Sequence, residues 1–342
     1  MIAARPPLQI DPEAAAFLAA HGQDDARLTV FASDASPRRY FRLEGRGLLL
    51  MEDQADPVGF AAYMRLSAHL NDLGLSAPRV VAANKDKWLA LIEDFGDATY
   101  TNALADGQDE GALYRLAVDA LLHLHNDPRG PQVDQPCYDL QVMLDELDIF
   151  ADWFAPAVTA NLNAADFAQG WRALWRSALG PVDGHDTLVM RDFHVDNLML
   201  LEGRDGVARC GLLDFQDGAL GPCEYDLMSL LQDSRRDLSP GLEEALLARY
   251  LAGAPAHLGQ PEDIRHRYHL LATQRHARIL GVFVRLCQRD GKPRYLAWVP
   301  RVLRQFQDAL AEAKLAEISA FLDSRLPGWQ ANAATLETRL KP

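Results

Sequence analysis

The stretch MRDFHVDNLMLL (190–201), with GLLDFQDGALGPCEYDL (211–227) after it, decides how this chain is read. Two apolar runs, TLVM (187–190) and LMLL (198–201), bracket a polar loop that carries Asp192 and, five residues on, Asn197. A third run, RCGLLDF (209–215), ends on Asp214. Short apolar runs bounded by turn formers read as strands, so three polar side chains converge at strand ends. Phosphoryl transfer asks a protein for little covalent chemistry. It needs a carboxylate to orient and deprotonate the attacking hydroxyl, and oxygen ligands to hold magnesium across the phosphates. Asp192 suits the first task, and Asn197 with Asp214 the second, since a carboxylate and an amide oxygen are the hard donors magnesium prefers. A lone Asp or Asn is an ordinary turn builder; the spacing D-x-x-x-x-N, followed by Asp-Phe after another strand, makes the set specific.

Outward from this core, the N-terminal side reads as a small α+β lobe. Asp11-Pro12-Glu13 opens a short helix that closes at Gly22. RLTVFA (27–32), YFRLEG (40–45) and GLLLME (47–52) read as a three-stranded antiparallel meander, and a helix from Asp56-Pro57 to about Gly74 follows. RVVAA (79–83) and WLALIE (88–93) complete an expected five-stranded sheet. From residue 109 onward helical periodicity dominates, so we expect an N-terminal nucleotide-binding lobe over 1–95 and a mainly helical catalytic and substrate-binding lobe over 96–342, joined near 93–97.

Composition narrows the partners. The 342 residues hold 34 Lys+Arg against 48 Asp+Glu, a formal charge of −14 with no basic run, which argues against nucleic acid. No stretch approaches the about 20 apolar residues that span a bilayer, and the N-terminus has no apolar h-region, so a cytoplasmic protein with no membrane partner is expected. The four cysteines, at 137, 210, 223 and 287, form no CxxC pair and read as reduced core thiols.

The loop at 190–197 and the segment around Asp214 resemble the aminoglycoside phosphotransferase and choline kinase superfamily, whose signature is H-G-D-x-H-x-x-N followed by I-D-F. Asp192, His194 and Asn197 match; Met190-Arg191 stand where most members have His-Gly. Gly221 and Tyr225-Asp226-Leu227 match a later G-x-x-x-Y-D-L element, in which the resemblance makes the aspartate a brace for the loop. FADWF (150–154), residues 212–233 and 274–296, and SDASPRRYFRL (33–43) look like the bacterial anomeric kinases of N-acetylmuramate and N-acetylglucosamine, which act at the C1 hydroxyl in cell-wall recycling. The resemblance implies a bilobal protein-kinase-like fold, ATP and Mg2+ as cofactors, and an amino sugar as acceptor. Aminoglycoside- or choline-type kinases, and a non-catalytic nucleotide-binding module, are the alternatives. Only 11 residues separate Asp214 from Asp226, too few for the long activation segment of a protein kinase.

Kinase-like lobes place a lysine on the third strand and a glutamate on the following helix. Here that strand ends in Met51, and residues 58–72 hold no glutamate. Arg38 and Arg39, and less so Arg42, are the expected replacements, because guanidinium groups grip phosphate oxygens bidentately. Ser33 and Ser36 are expected to help cradle phosphate on a loop that has no glycine. Backbone groups of Glu93 and Phe95 are expected to meet adenine. His194 is expected to fix the loop by hydrogen bonding. Of the arginines at 275, 278, 285 and 289, most are expected to be solvated, and Arg278 or Arg285 to face the carboxylate of the sugar on a long helix.

Overall fold

The computed structural model describes residues 10–31, 38–182, 184 and 186–340. The chain packs as two compact units, the first running to Ala120 with Val195–Gly218 added, the second comprising Leu121–His194 and the chain from Ala219. Packing therefore does not follow the linear break drawn at residue 95.

The first unit is built on a five-stranded antiparallel sheet of β1 (Leu28–Phe31), β2 (Arg39–Leu43), β3 (Leu48–Glu52), β4 (Val80–Asn84) and β5 (Leu89–Glu93), in the order β1-β2-β3-β5-β4. Alternate residues Phe41, Leu43, Leu50, Leu89 and Leu91 form one apolar face, as a period of two requires. Helix α1 (Pro12–Ala20) covers it with Ala14, Phe17 and Leu18. Phe41 and Leu50 are at most 1% exposed, and burying each contributes about 1.5–3 kcal/mol. Asp11 caps α1 by accepting from the Glu13 N–H at 2.8 Å. Asp56 does the same for α2 (Pro57–Asp72) through Gly59. After α3 (Tyr100–Ala105), the hairpin of β7 (Leu198–Leu200) and β8 (Cys210–Leu212) joins this unit because its backbone is tied there: Leu212 N–H donates to Ser76 O at 2.7 Å and Leu200 N–H to Ala98 O at 2.8 Å.

The second unit contains one short ribbon, β6 (Thr187–Val189) with β9 (Ala219–Gly221), among helices. Helix α4 (Glu110–Asn126) leads into it, followed by α5 (Leu140–Ile149), α6 (Ala155–Val158), α7 (Ala164–Leu179), α8 (Glu224–Leu231), α9 (Leu242–Gly253) and α10 (Pro261–Gln288). The 28-residue α10 is wrapped by its neighbours, with buried side chains on every face. The FADWF segment is a π-helical turn, Phe150–Phe154, that extends α5. A Cβ at Gly281 would lie 2.5 Å from the Ile149 carbonyl, so glycine is what lets α10 meet this turn.

Two expectations need correction. The long helix expected to carry the arginines at 275, 278, 285 and 289 ends at Gln288, and Pro293–Trp298 forms a separate 3-10 turn. Cys137 is exposed rather than part of the core, while Cys210, Cys223 and Cys287 are buried. Strand β9 and helix α3 were not anticipated, being too short to show a period.

Candidate active site

The chain passes from the second unit to the first between His194 and Val195, so Asp192 belongs to the second unit and Asn197 and Asp214 to the first. In the first unit Asn197 ends a 3-10 turn directly before β7, and Asp214 follows β8. Leu213 N–H donates to Asn197 O at 2.9 Å, which fixes these strand ends together. The Asn197 amide nitrogen lies 3.5 Å from Asp214 Oδ2, and Asp214 Oδ1 accepts from Gln216 Nε2 at 2.9 Å. Asp214 has φ +56°, a left-handed conformation that costs a non-glycine residue about 1–2 kcal/mol. Such strain is held where a side chain must be aimed. One carboxylate and one amide oxygen suit magnesium, which keeps waters and phosphate oxygens for its remaining positions. Among the described residues no group of three or more His, Cys, Asp or Glu could hold a metal by itself.

The other residues expected to contact nucleotide are distributed as follows. Ser33 and Ser36 lie outside the described residues. Arg38 is buried, and its Nε donates to Asp53 Oδ2 at 2.7 Å. Burial works against its charge, but Tyr40 and Asp53 outweigh this and hold Arg38 above its ordinary pKa. Arg39 is 59% exposed, lies 3.3 Å from Glu52 and covers the Phe41 ring. Arg42 is held by Asp94 at 2.6 Å and Asp97 at 2.9 Å, so it staples the segment after β5. Glu93 gives its N–H to Arg79 O and its carboxylate to Arg204, whose guanidinium sits 5.0 Å over the Phe95 ring.

In the second unit, the loop before Asp192 is braced by Asp226. Its carboxylate is buried and accepts the Met190 N–H at 2.6 Å and the Arg191 N–H at 2.9 Å. Burial pushes this carboxyl up to about 7, against the two N–H donors. Arg191 has φ +69°, the conformation that glycine supplies without strain. The Arg191 guanidinium reaches Glu146 and lies 5.1 Å from the Tyr138 ring centroid. His194 is buried and its pKa is lowered by burial, so the neutral ring is favoured.

The arginines of α10 are the largest correction. Arg275 is only 7% exposed and donates to Arg191 O at 3.3 Å and Tyr225 Oη at 3.1 Å. Arg278 lies 3.5 Å from Glu146, which also accepts from Tyr138 Oη at 2.6 Å and Gln274 Nε2 at 3.3 Å. Both arginines are close enough to Asp192 for its charge to favour theirs. Arg275 is buried and Arg278 half-buried because α10 is central, and polar partners on α5, α8 and the loop replace the water they give up. Beyond that ion pair the Arg278 Nε has no hydrogen-bond partner among the described residues, and the same holds, without an ion pair, for the buried Nε of Arg285, two turns further along the same face. Burial, then the like charge of Arg289, lowers its pKa. Arg289 itself is exposed and paired with Asp290 at 2.6 Å.

Sequence reasoning missed Glu146, Tyr138 and Asp53. Nothing local marks them, since each acts on a residue far away in the chain.

Fold and loop together define a phosphotransferase whose acceptor is an alcohol group. Residues 27–260 match the family described as "Phosphotransferase enzyme family", and the chain belongs to that family. It is 37% identical to an N-acetylmuramate/N-acetylglucosamine kinase of Caulobacter vibrioides, over 92% of this chain and 96% of that one. It is 35% identical to a protein of the same description from Pseudomonas aeruginosa, over 90% of each. Among solved structures, a choline/ethanolamine kinase family protein from Mesorhizobium loti shares the fold at TM-score 0.59 and 16% identity, over 95% of this chain and 98% of that one. The ADP-bound aminoglycoside phosphotransferase APH(2'')-Ib does so at TM-score 0.58 and 16% identity, over 88% and 99%. No helix among the described residues is long and apolar enough to cross a membrane.

Proposed function

We propose that the protein is a cytoplasmic ATP- and Mg2+-dependent kinase that transfers the γ-phosphoryl group to the C1 hydroxyl of N-acetylmuramate and N-acetylglucosamine. Residues 1–95 are the nucleotide-binding lobe in this reading, and residues 96–342 supply the acceptor site. The observation that carries it is the Asp192 loop, braced by Asp226 and lying beside the arginines of α10, in a chain more than 30% identical to amino-sugar kinases over most of its length.

The Asp192 carboxylate accepts the proton of the acceptor hydroxyl as the oxygen forms its bond to phosphorus and the bond to the bridging oxygen of ADP breaks. Arg275 and Arg278 offset the negative charge that builds near Asp192. Asn197 and Asp214 hold the metal, which when bound neutralises phosphate charge. Arg38 is the better candidate than Arg39 for gripping phosphate, because it is fixed by buried partners while Arg39 is exposed. Backbone groups of Glu93 and Phe95 remain those proposed for adenine. Arg285 is the residue for the lactyl carboxylate of N-acetylmuramate, because Arg278 is already engaged by Glu146.

The test is turnover of Mg·ATP with a panel of sugars, following ADP release and the C1 phosphate by NMR. Both amino sugars should be phosphorylated. Arg285→Ala should lower kcat/KM for N-acetylmuramate by about 1.5–3 kcal/mol, the range for a charged hydrogen bond, and spare N-acetylglucosamine. Transfer only to an aminoglycoside or a choline-like alcohol would refute the amino-sugar reading and leave the phosphotransferase standing.

A further inference from the structure

The kinase-like lobe normally couples a cation on the third strand to a carboxylate on the helix behind it. In this chain both are replaced, and the first unit holds another pair in their neighbourhood. Met51 occupies the strand position, fully buried, and its partner across the β2–β3 ladder is Tyr40. Tyr40 lies close enough to Arg38 for the charge of each to act on the other. Arg38 in turn donates from Nε to Asp53, two residues beyond Met51, and lies 5.8 Å from the ring centroid of Tyr63 on α2. Arg38 is 5% exposed and Asp53 1%. A Cβ at Gly59, in the first turn of α2, would lie 3.4 Å from Arg38 Nη2, so the side chain also runs close beside the helix.

We infer that Arg38 and Asp53 are an exchanged version of the lysine–glutamate pair, with the cation supplied from just before β2 and its anchor from just after β3. The inference rests on the kinase reading and adds Asp53 to it as a positioning residue. Three observations support it. A buried ion pair contributes little net stability, because desolvation offsets attraction, so stability alone does not explain its presence. The charge of Asp214 acts on Tyr40 and that of Asp217 on Asp53, so the pair and its neighbour Tyr40 lie within electrostatic reach of the segment that follows β8. A guanidinium anchored through Nε keeps a fixed plane, and a planar fork of donors is what matches phosphate oxygens.

Calorimetry of Mg·ATP and of adenosine tests the role separately from sugar turnover. Asp53→Asn should weaken Mg·ATP about tenfold and leave adenosine within about twofold, because adenosine has no phosphate for Arg38 to meet. Combining it with Arg38→Ala should cost no more than Arg38→Ala alone, and Asp53→Glu should restore part of the affinity. Equal loss of Mg·ATP and adenosine would make the pair structural, and fully additive losses would uncouple Asp53 from Arg38; either overturns the inference. Should Asp53→Asn fail to fold, Arg38→Lys keeps the buried charge pair and should bind Mg·ATP better than Arg38→Ala; a lysine no better than alanine would overturn it equally. Native protein that binds Mg·ATP and phosphorylates neither sugar would refute the substrate reading alone, whereas native protein that does not bind Mg·ATP would overturn both.

Discussion

Replacing Asp226 by asparagine changes a carboxylate into an amide of the same shape at the brace of the Asp192 loop. The carboxylate accepts two backbone N–H groups, at 2.6 and 2.9 Å. The amide has one accepting oxygen, and its NH2 would face the second donor. One charge-assisted bond is lost, about 1.5–3 kcal/mol, and a buried N–H is left unmet, about 1–3 kcal/mol more. A loop that stayed in place would carry both costs in addition to the about 1–2 kcal/mol of strain already at Arg191. It should therefore shift instead. Displacing Asp192 by about 1 Å costs on the order of 10²-fold in rate. We expect kcat to fall by that factor with Mg·ATP affinity unchanged, read by steady-state kinetics and calorimetry on the same preparation. A folded Asp226→Asn protein with kcat within about threefold of native would refute the brace. The pH dependence supplies a second check. Burial holds the Asp226 carboxyl at about 7, and a protonated carboxyl cannot accept both N–H groups, so kcat should fall as pH drops through about 7. That limb should vanish in the variant. Stability moves the other way: the folded state binds this proton more tightly than the unfolded chain, so the contribution of Asp226 to stability falls as pH rises from about 4 to about 7.

Asp192→Asn should lower kcat by on the order of 10² or more and leave Mg·ATP affinity nearly unaltered, because it removes proton acceptance without removing a phosphate contact; near-native turnover would exclude Asp192 from the mechanism. Asp214→Ala should abolish Mg2+-dependent nucleotide binding together with activity, and calorimetry showing that binding intact would contradict its assignment as a metal ligand. His125, bonded to Tyr250 at 2.6 Å, and His276, bonded to Gln232 at 2.7 Å, are both pushed down to about 3, chiefly by burial. The unfolded chain binds these protons more readily, so the associated stability is complete above about pH 6.5 and is lost as pH falls toward about 3, roughly 2 kcal/mol per histidine at about pH 5. Urea titrations at the two pH values should show a smaller difference for His276→Gln, and an unchanged difference would refute this linkage.

The sequence was legible where a function or a period demands a residue type. Strands β2, β3 and β5 fall within a residue or two of their alternating or apolar runs, and Asp192, Asn197 and Asp214 stand out because the roles proposed for them, proton transfer and magnesium binding, admit few substitutes. Where a residue serves a distant neighbour, no such mark exists. Arg275 reads as solvated and Arg278 as a candidate for the sugar carboxylate because helical spacing separates apolar from polar positions, and it cannot distinguish water from a polar interior. The acids and phenols that receive them, Glu146, Tyr138 and Tyr225, come from elements far apart in the chain. Arg191 joins the two cases. In its φ of +69° it keeps the backbone shape for which glycine suits the loop, yet its side chain enters the same Glu146 cluster as Arg278. An ion pair with Glu146 and a contact over Tyr138 can offset about 1–2 kcal/mol of backbone strain, since both are partly shielded from water. The departure from glycine is therefore coherent only with Glu146 present. A chain carrying Arg191 without an acid on α5 would bear the strain with nothing to offset it, in the loop that positions Asp192.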